Sequence, residues 1–244
     1  MKLIRNIYAG TLMLSSVKIF DPQKDYRNKR VAIIGAADSA FDEKNGKYID
    51  EHDVVVRINK APHVWTPEKA EYIGSKFTYL YHSFYENDYS GGGPIDWGYY
   101  DKLGIEKIIN PVFSSKGLRT HFSYYKRHRS SRSTYILSRA DYICISKSLG
   151  SSIPTVGFSA LMSVLQADFK EVYITGFTFF QTPYATGYRD HLLDKEKNKA
   201  HIKEQGLHDP DLEFKLFKQK LQQISFKKVI FDKQLQFLLQ NEKI

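Results

Sequence analysis

Short apolar runs recur along this sequence of 244 residues, and stretches with helical spacing separate them. Residues 31–35 form one run that ends in glycine, and residues 53–59 form another that is rich in valine and isoleucine. Such runs are typical of strands that are buried on both faces of a parallel sheet. Strands that alternate with helices therefore predict an α/β fold, a mostly parallel sheet flanked by helices.

Other segments continue this alternation. Strands are also predicted at residues 77–81, 107–110, 141–145, 171–176 and 228–231. A helix of small and apolar residues is predicted from about 157 to 167, after Pro154. Because open parallel sheets bind ligands beyond the carboxyl ends of their strands, we expect the functional residues directly after these runs.

The sequence predicts a single domain at residues 30–244, after an N-terminal arm or helix at residues 1–29. Arg5 and Lys18 interrupt the apolar positions of that first segment, so we expect neither a signal peptide nor a membrane-spanning helix there. Residues 186–206 are polar and highly charged, which predicts either a lid over the substrate or a flexible connection.

The charge balance indicates an anionic partner. The sequence has 36 Lys and Arg against 27 Asp and Glu, a formal charge of +9. A phosphate-bearing substrate, an acidic membrane surface or a nucleic acid would suit such a surface. The basic run at residues 126–132 lacks the signature of a DNA- or RNA-binding domain, so we expect no nucleic acid partner. That run fits either a solvated loop or a contact with anionic lipid. The single cysteine, Cys144, excludes a disulfide-built scaffold.

The first of four candidate motifs follows the run at 31–35. Gly35 permits a sharp turn, and the amides that follow it, from Ala36 to Ser39, could contact a phosphate or a ribose. A lone glycine fits an ordinary turn equally well, because neither a GxGxxG nor a Walker pattern is present.

The second motif ends the run at 53–59. Asn59 offers one acceptor and two donors, which suffice to bind a ribose hydroxyl or a base edge. Arg57 lies two residues earlier, and a buried arginine there would need an acidic partner, for which Asp50 and Asp53 are the candidates.

The third motif opens the predicted helix at 157–167. Thr155 can cap this helix or donate its hydroxyl, and Val156 and Gly157 present amides at its start. Amides at a helix N-terminus form a phosphate site. A plain helix start remains the alternative.

The fourth motif contains a histidine directly before a helix start. Asp209 and Pro210 are typical of an N-cap and a first helical residue. The positive end of that helix favours the neutral imidazole of His208, the state that a general base needs. Glu213 lies in the first turn, where its carboxylate could orient the histidine. His191, which has Glu196 at the same spacing, is the second candidate for the base.

The order and spacing of these motifs resemble those of the sialyltransferases, over about residues 30 to 231. The long motif of that family is matched at Gly35, Gly46, Ile49, Asp50, Asp53, Val54, Arg57, Asn59, Ala61 and Pro62. The short motif resembles residues 154–157 together with Glu171, Val172, Gly176 and Phe177, and the His-x4-Glu motif matches His208 and Glu213.

The resemblance implies a Rossmann-like fold, a variant of the GT-A type with a lid-like insertion, and an inverting glycosyltransferase that needs no metal or other cofactor. Its donor would be a CMP-activated 2-keto-3-deoxy acid sugar, and its acceptor a glycan or glycolipid. The resemblance assigns His208 as the base, Tyr184 as a donor to the leaving phosphate and Glu213 to the same catalytic motif. It assigns the donor site to Gly35, Ala36, Ser39, Asn59, Thr155, Val156, Gly157, Gly176 and Phe177.

Three departures from the family motifs leave more than one donor sugar possible. Ala36 stands where the family usually has asparagine, Val156 replaces a hydroxyl residue and Phe180 replaces a tyrosine. The resemblance therefore fits sialic acid as the transferred sugar, Kdo as a second donor sugar, or a nucleotide-binding protein without catalysis. It also implies a bacterial protein in the cytoplasm, with peripheral contact at the inner membrane face as one expectation.

Overall fold

The computed structural model describes residues 2–87, 92–188 and 207–241. In this part of the chain, eight strands form one parallel sheet in the order β1-β6-β5-β4-β3-β2-β7-β8. The strands are β1 Val17–Phe20, β2 Arg30–Ile34, β3 Val54–Ile58, β4 Tyr79–Tyr81, β5 Lys107–Asn110, β6 Thr134–Leu137, β7 Glu171–Thr175 and β8 Val229–Phe231. The predicted α/β fold with a parallel sheet is confirmed.

Helices cover both faces of the sheet. They are α1 Lys2–Ser16, α2 Pro22–Tyr26, α3 Gly46–Asp50, α4 Ala61–Val64, α5 Ala70–Ile73, α6 Trp97–Leu103, α7 Ser115–His128, α8 Arg139–Ser146, α9 Val156–Gln166, α10 Pro210–Gln223 and α11 Lys233–Asn241. Among these described helices, none is both long enough and apolar enough to cross a bilayer.

Alternate residues of the central strands pack into different cores. Ile33 and Val56 lie in a core with α9 and α10, whereas Ala32 and Val55 lie in a core with α3 and α5. A third core joins β4 and β5 to α1, α6 and α7. Because the side chains of a strand alternate between its faces, every apolar position of these strands is buried, as the unbroken runs predicted.

The strand predicted at residues 141–145 is wrong. This segment lies in α8, and the strand of the region is β6, which precedes it. Ser138 caps α8 by accepting a hydrogen bond from the Asp141 amide at 3.0 Å. The cap starts the helix before the β-branched residues, so a local signal overrides their strand propensity.

The N-terminal segment contributes to the sheet. Helix α1 packs against α7, and β1 pairs with β6 in parallel, Val17 opposite Thr134. The first strand is thus an edge strand, which the sequence reasoning did not predict.

Arg57 has backbone partners rather than the acidic partner that we expected. Its guanidinium donates to the carbonyls of Ile73, Gly74 and Lys76 at 2.7–3.2 Å. Asp50 accepts from the amides of Ser75 and Lys76. The two charged side chains therefore bind the same turn: Arg57 satisfies its carbonyls and Asp50 its amides.

Candidate active site

A cavity of about 440 Å³ opens at the carboxyl edge of the sheet. Its wall includes residues at the ends of five adjacent strands or within two positions after them: Asn110 on β5, Ser83 after β4, Asn59 after β3, Gly35 after β2 and Gly176 after β7. Loops after parallel strands meet at one edge, and ligands of such sheets bind there.

The cavity brings together residues from all four predicted motifs. The predicted site residues that line it are Gly35, Ala36, Asn59, Thr155, Val156, Gly157, Gly176, Phe177, Tyr184, His208 and Glu213. Ser39 does not line it. The chain forms a 3₁₀ turn at Asp38–Phe41, which turns Ser39 inward until it is only 5% exposed.

Gly35 and Gly176 let two strand ends approach closely. A Cβ atom added to Gly35 would lie 2.1 Å from the carbonyl oxygen of Gly176, which leaves no room for any side chain. Gly176 itself has a φ of 71°, a conformation that glycine adopts without strain. This approach aligns the amides after β2 with the loop after β7.

The loop after β7 is pinned across the loop after β2. Ala37 and Tyr184 form an antiparallel bridge, and the Ala185 amide donates to the Ala36 carbonyl at 2.9 Å. Within the loop, Phe179 and Phe180 have φ values of 49° and 64°. Non-glycine residues rarely adopt this region, and such strain concentrates at functional sites.

Tyr184 belongs to a stacked pair that the sequence reasoning did not identify. Its ring lies 5.5 Å from that of Tyr188, with 11° between the planes. The Tyr188 hydroxyl donates to the carbonyl of Ile58 at 2.9 Å, which anchors the pair to the end of β3. Both rings line the cavity.

Asn59 lines the cavity with its amide oxygen held by the backbone. Its Oδ1 accepts from the Ser83 amide at 3.0 Å, and its φ of 49° turns the chain at the end of β3. Because Oδ1 is already bonded, Nδ2 is the atom that remains to donate to a ligand.

The start of α9 forms another part of the wall. The Thr155 hydroxyl caps this helix by accepting from the Phe158 amide at 3.1 Å. A Cβ atom added to Gly157 would lie 3.2 Å from the Phe177 ring. Val156 and Gly157 line the cavity at the positive end of this helix, where anions are favoured.

Glu213 holds Thr155 and does not orient the histidine as we expected. Its Oε1 accepts from the Thr155 amide at 2.6 Å, and its Oε2 accepts from the Thr155 hydroxyl at 2.7 Å. The side chain is 1% exposed, and this burial raises the pKa of Glu213 to about 8 although Thr155 favours the charged form. The carboxyl group is therefore mostly uncharged near neutral pH.

His208 takes its orientation from the backbone. Its Nδ1 lies 2.6 Å from the carbonyl oxygen of Ile153, and the Ile153 amide donates to the Leu207 carbonyl at 2.8 Å. Since a carbonyl can only accept, Nδ1 carries the proton in this contact. In the neutral ring Nε2 then holds the lone pair, as a general base requires.

Two further residues of the cavity were missed by the sequence reasoning. Asn110 ends β5 and is held by the Val112 amide and the Gly117 carbonyl. The rule that identified Asn59 at a strand end would have found it. Lys116, in the first turn of α7, is the one lysine or arginine among the described cavity residues. No motif marks Lys116, because its position depends on how α7 packs.

Two of the predictions are not resolved by this geometry. His191 and residues 189–206 of the predicted lid lie outside the described residues.

Asp209 acts as the N-cap of α10, since its Oδ1 accepts from the Leu212 amide at 3.0 Å. Within the described ranges, no three His, Cys, Asp or Glu side chains cluster as metal ligands would.

No family model matches the sequence, and no curated protein matches it. Solved structures do share its fold. A mammalian sialyltransferase has a TM-score of 0.55 at 18% identity, over 93% of this chain and 78% of that one. A mammalian sialyltransferase in complex with Gal-β-1,3-GalNAc-ortho-nitrophenol has a TM-score of 0.56 at 18% identity, over 91% and 77% of the two chains.

A variant of the sialyltransferase CST-II in complex with CMP is also similar. Its TM-score is 0.51 at 15% identity, over 84% of this chain and 81% of that one. The predicted resemblance to sialyltransferases is therefore confirmed for the fold.

Proposed function

We propose that this protein is an inverting glycosyltransferase that moves a 2-keto-3-deoxy acid sugar, sialic acid first, from its CMP donor to a hydroxyl of an acceptor glycan. The observation that carries the proposal is the shared cavity, which His208 lines together with Asn59 and the start of α9. A fold shared with sialyltransferases, one of them in complex with CMP, supports the choice of donor.

In the proposed reaction, Nε2 of His208 removes the proton from the acceptor hydroxyl. The hydroxyl oxygen attacks the anomeric carbon, the bond from that carbon to the phosphate oxygen breaks, and CMP leaves from the opposite side. Negative charge develops on the phosphate as this bond breaks, so donors set in advance stabilise the transition state most. The amides at the start of α9 and the Tyr184 hydroxyl are the donors that we assign to this role.

The nucleotide half of the donor would lie between the loops after β2, β3 and β7. Gly35, Ala36 and Gly176 line this part with backbone groups, and Phe177 covers Gly157 from the side. Asn59 would donate through Nδ2. The proposal needs no metal ion, because amides, Lys116 and the Tyr184 hydroxyl supply the partners for charge.

The test is a transfer assay with CMP-sialic acid and with CMP-Kdo, on the wild type and on His208→Ala. General-base catalysis contributes roughly 10²- to 10⁴-fold, so kcat should fall by about that factor while calorimetry shows CMP affinity nearly unchanged. Thr11→Ala, on the far helix α1, is the control. If the protein turns over CMP-Kdo but not CMP-sialic acid, the transferred sugar is Kdo and not sialic acid. Full activity of His208→Ala would show that His208 is not the general base. Binding of CMP without turnover of either donor would show that the protein binds nucleotides without catalysis.

A further inference from the structure

Helix α1 leaves a stripe of large apolar side chains uncovered. Leu3, Ile4, Ile7, Tyr8 and Leu14 are each between 51% and 87% exposed. Their spacing of three, four and seven positions places them on one side of the helix. The opposite side is used in the fold, since Ala9 and Leu12 are buried. Soluble proteins rarely leave a contiguous apolar patch exposed without an interaction that uses it.

The junction of α1 with the end of α7 is basic. Arg5 donates to the carbonyl of Lys126 at 3.3 Å, which ties α1 to the C-terminal end of α7. Arg5 and Arg129 are exposed, and Lys126 is half-buried. Among the described residues, no carboxylate forms an ion pair with any of these three cations. Arg127, by contrast, is neutralised by Glu86.

The charge of the segment has one sign throughout. Residues 1–20 contain Lys2, Arg5 and Lys18 but no Asp or Glu. An apolar stripe alone would fit a protein partner equally well. An apolar stripe on a helix whose other side carries cations without ion-pair partners, and no acid, fits a surface that is apolar inside and anionic outside.

We infer that the α1 stripe docks on an anionic membrane, with the helix lying in the plane of the interface. The five apolar side chains enter the boundary between headgroups and acyl chains. Arg5, Lys126 and Arg129 contact the anionic headgroups above it. Docking of this kind is independent of the chemistry in the cavity, and it would bring a transferase to an acceptor that is carried on lipid.

The apolar part is tested by sedimentation with vesicles of phosphatidylcholine that contain about 30% phosphatidylglycerol. The wild type should bind, and Ile4→Glu/Ile7→Glu should lower the partition coefficient by about tenfold or more, because each carboxylate opposes both burial and the surface charge. Phe226→Glu is the matched control, since Phe226 is 80% exposed on another part of the molecule. Thermal unfolding checks that the variants fold.

The role of the cations is tested with the same vesicles and with vesicles of pure phosphatidylcholine. Lys126→Gln/Arg129→Gln should weaken binding to the anionic vesicles by about thirtyfold, the fold-change that corresponds to about 1 kcal/mol for each of the two cations. Lys170→Gln, an exposed lysine elsewhere, should change nothing. Light scattering reports self-association in parallel.

Three results would overturn the inference. The first is no binding of the wild type to anionic vesicles. The second is equal binding to neutral and anionic vesicles, which would remove the role of the cations. The third is a dimer that Ile4→Glu/Ile7→Glu dissociates without any effect on vesicle binding, which would make the stripe an interface between two copies of the chain.

Discussion

Glu213 and Lys116 set the charge of the cavity. Burial keeps the Glu213 carboxyl mostly protonated near neutral pH, so it does not repel the proposed anionic donor although it contacts Thr155 at the start of α9. Lys116 is then the residue that supplies a full positive charge to the described wall. A CMP-linked sugar acid carries a phosphate and a carboxylate, and both favour such an environment.

Replacement of Lys116 tests whether its charge contributes to binding of the donor. Lys116→Met should raise the KM for the proposed CMP-sugar by about ten- to a hundredfold with little change in kcat, because one charge-assisted contact is worth about 1.5–3 kcal/mol when it is well shielded from water. Arg119→Met is the control, since Arg119 is exposed on the same helix and does not line the cavity. An unchanged KM for the donor would show that Lys116 does not contact it.

The residues that could be predicted from the sequence are those with a local signal. Asn59 and Gly35 follow apolar runs, and Asp209 with Pro210 marks the helix after His208. Tyr188 could not be predicted, because its contact with Ile58 joins loops 130 positions apart. The burial of Ser39 was not predictable either, because the 3₁₀ turn that buries it has no sequence signature.

At the scale of elements, the ends of the parallel neighbours β2 and β7 approach each other closely, where Gly35 meets Gly176. Gly35 cannot accept a Cβ atom, because the nearest atom is a backbone oxygen that pairs with the Ala37 amide. The two loops would have to separate, and the amides after β2 would move with them.

Gly35→Ala should therefore lower the free energy of unfolding by several kcal/mol, within the range of overpacking and backbone strain, and abolish detectable CMP binding. Gly10→Ala is the matched control. Nothing lies within 4 Å of a Cβ atom added in the middle of α1, so alanine should stabilise by roughly 0.5–1 kcal/mol through its helix propensity. Urea denaturation and calorimetry with CMP measure both effects. Wild-type stability of Gly35→Ala would contradict the close approach.

Most elements were predictable because their apolar patterns are local, and α8 shows where this fails. A run of Tyr, Ile and Cys at residues 142–145 has strand-like composition, but the Ser138 cap decides the element. Strand β1 was missed because four residues with two exposed side chains carry no recognisable alternation.

At the scale of the whole molecule, buried titratable groups have opposite effects on how the free energy of unfolding depends on pH. Burial lowers the pKa of His82 to about 4 and that of His121 to about 3. Stability from these neutral rings is present above their ordinary value of 6.5 and is lost as the pH falls. Glu213 acts in the other direction: its contribution is full below 4.5 and is lost as the pH rises towards about 8.

The free energy of unfolding should consequently be highest near pH 6.5. Below that value the buried histidines, His52 with its lowered pKa among them, outweigh Glu213. Above it Glu213 lowers stability, by up to about 1.4 kcal/mol per pH unit and proton. Urea denaturation between about pH 5 and 8 measures the profile. Glu213→Gln should flatten the alkaline side, whereas Glu51→Gln, at an exposed position, should not. A wild-type profile that rises up to pH 8 would contradict a buried, uncharged Glu213.

The order of strands was not predictable from the sequence. Apolar runs identify strands but carry no information about which two runs pair, and here β2 lies between β3 and a strand far along the chain. The cavity depends on this order, because it places the loop after β7 against the loop after β2.

That order has a consequence for synthesis on the ribosome. Arg30 of β2 pairs with Glu171 of β7, 141 positions later. The chain adds 117 residues between the end of β3 and the end of β7. At about 5–20 residues per second, one edge of β2 therefore stays open for about 6 to 23 seconds after β3 has paired with its other edge. An apolar strand with unpaired amides is prone to aggregate during such an interval, so the yield of folded protein in cells should depend on chaperones that hold nascent chains until β7 emerges.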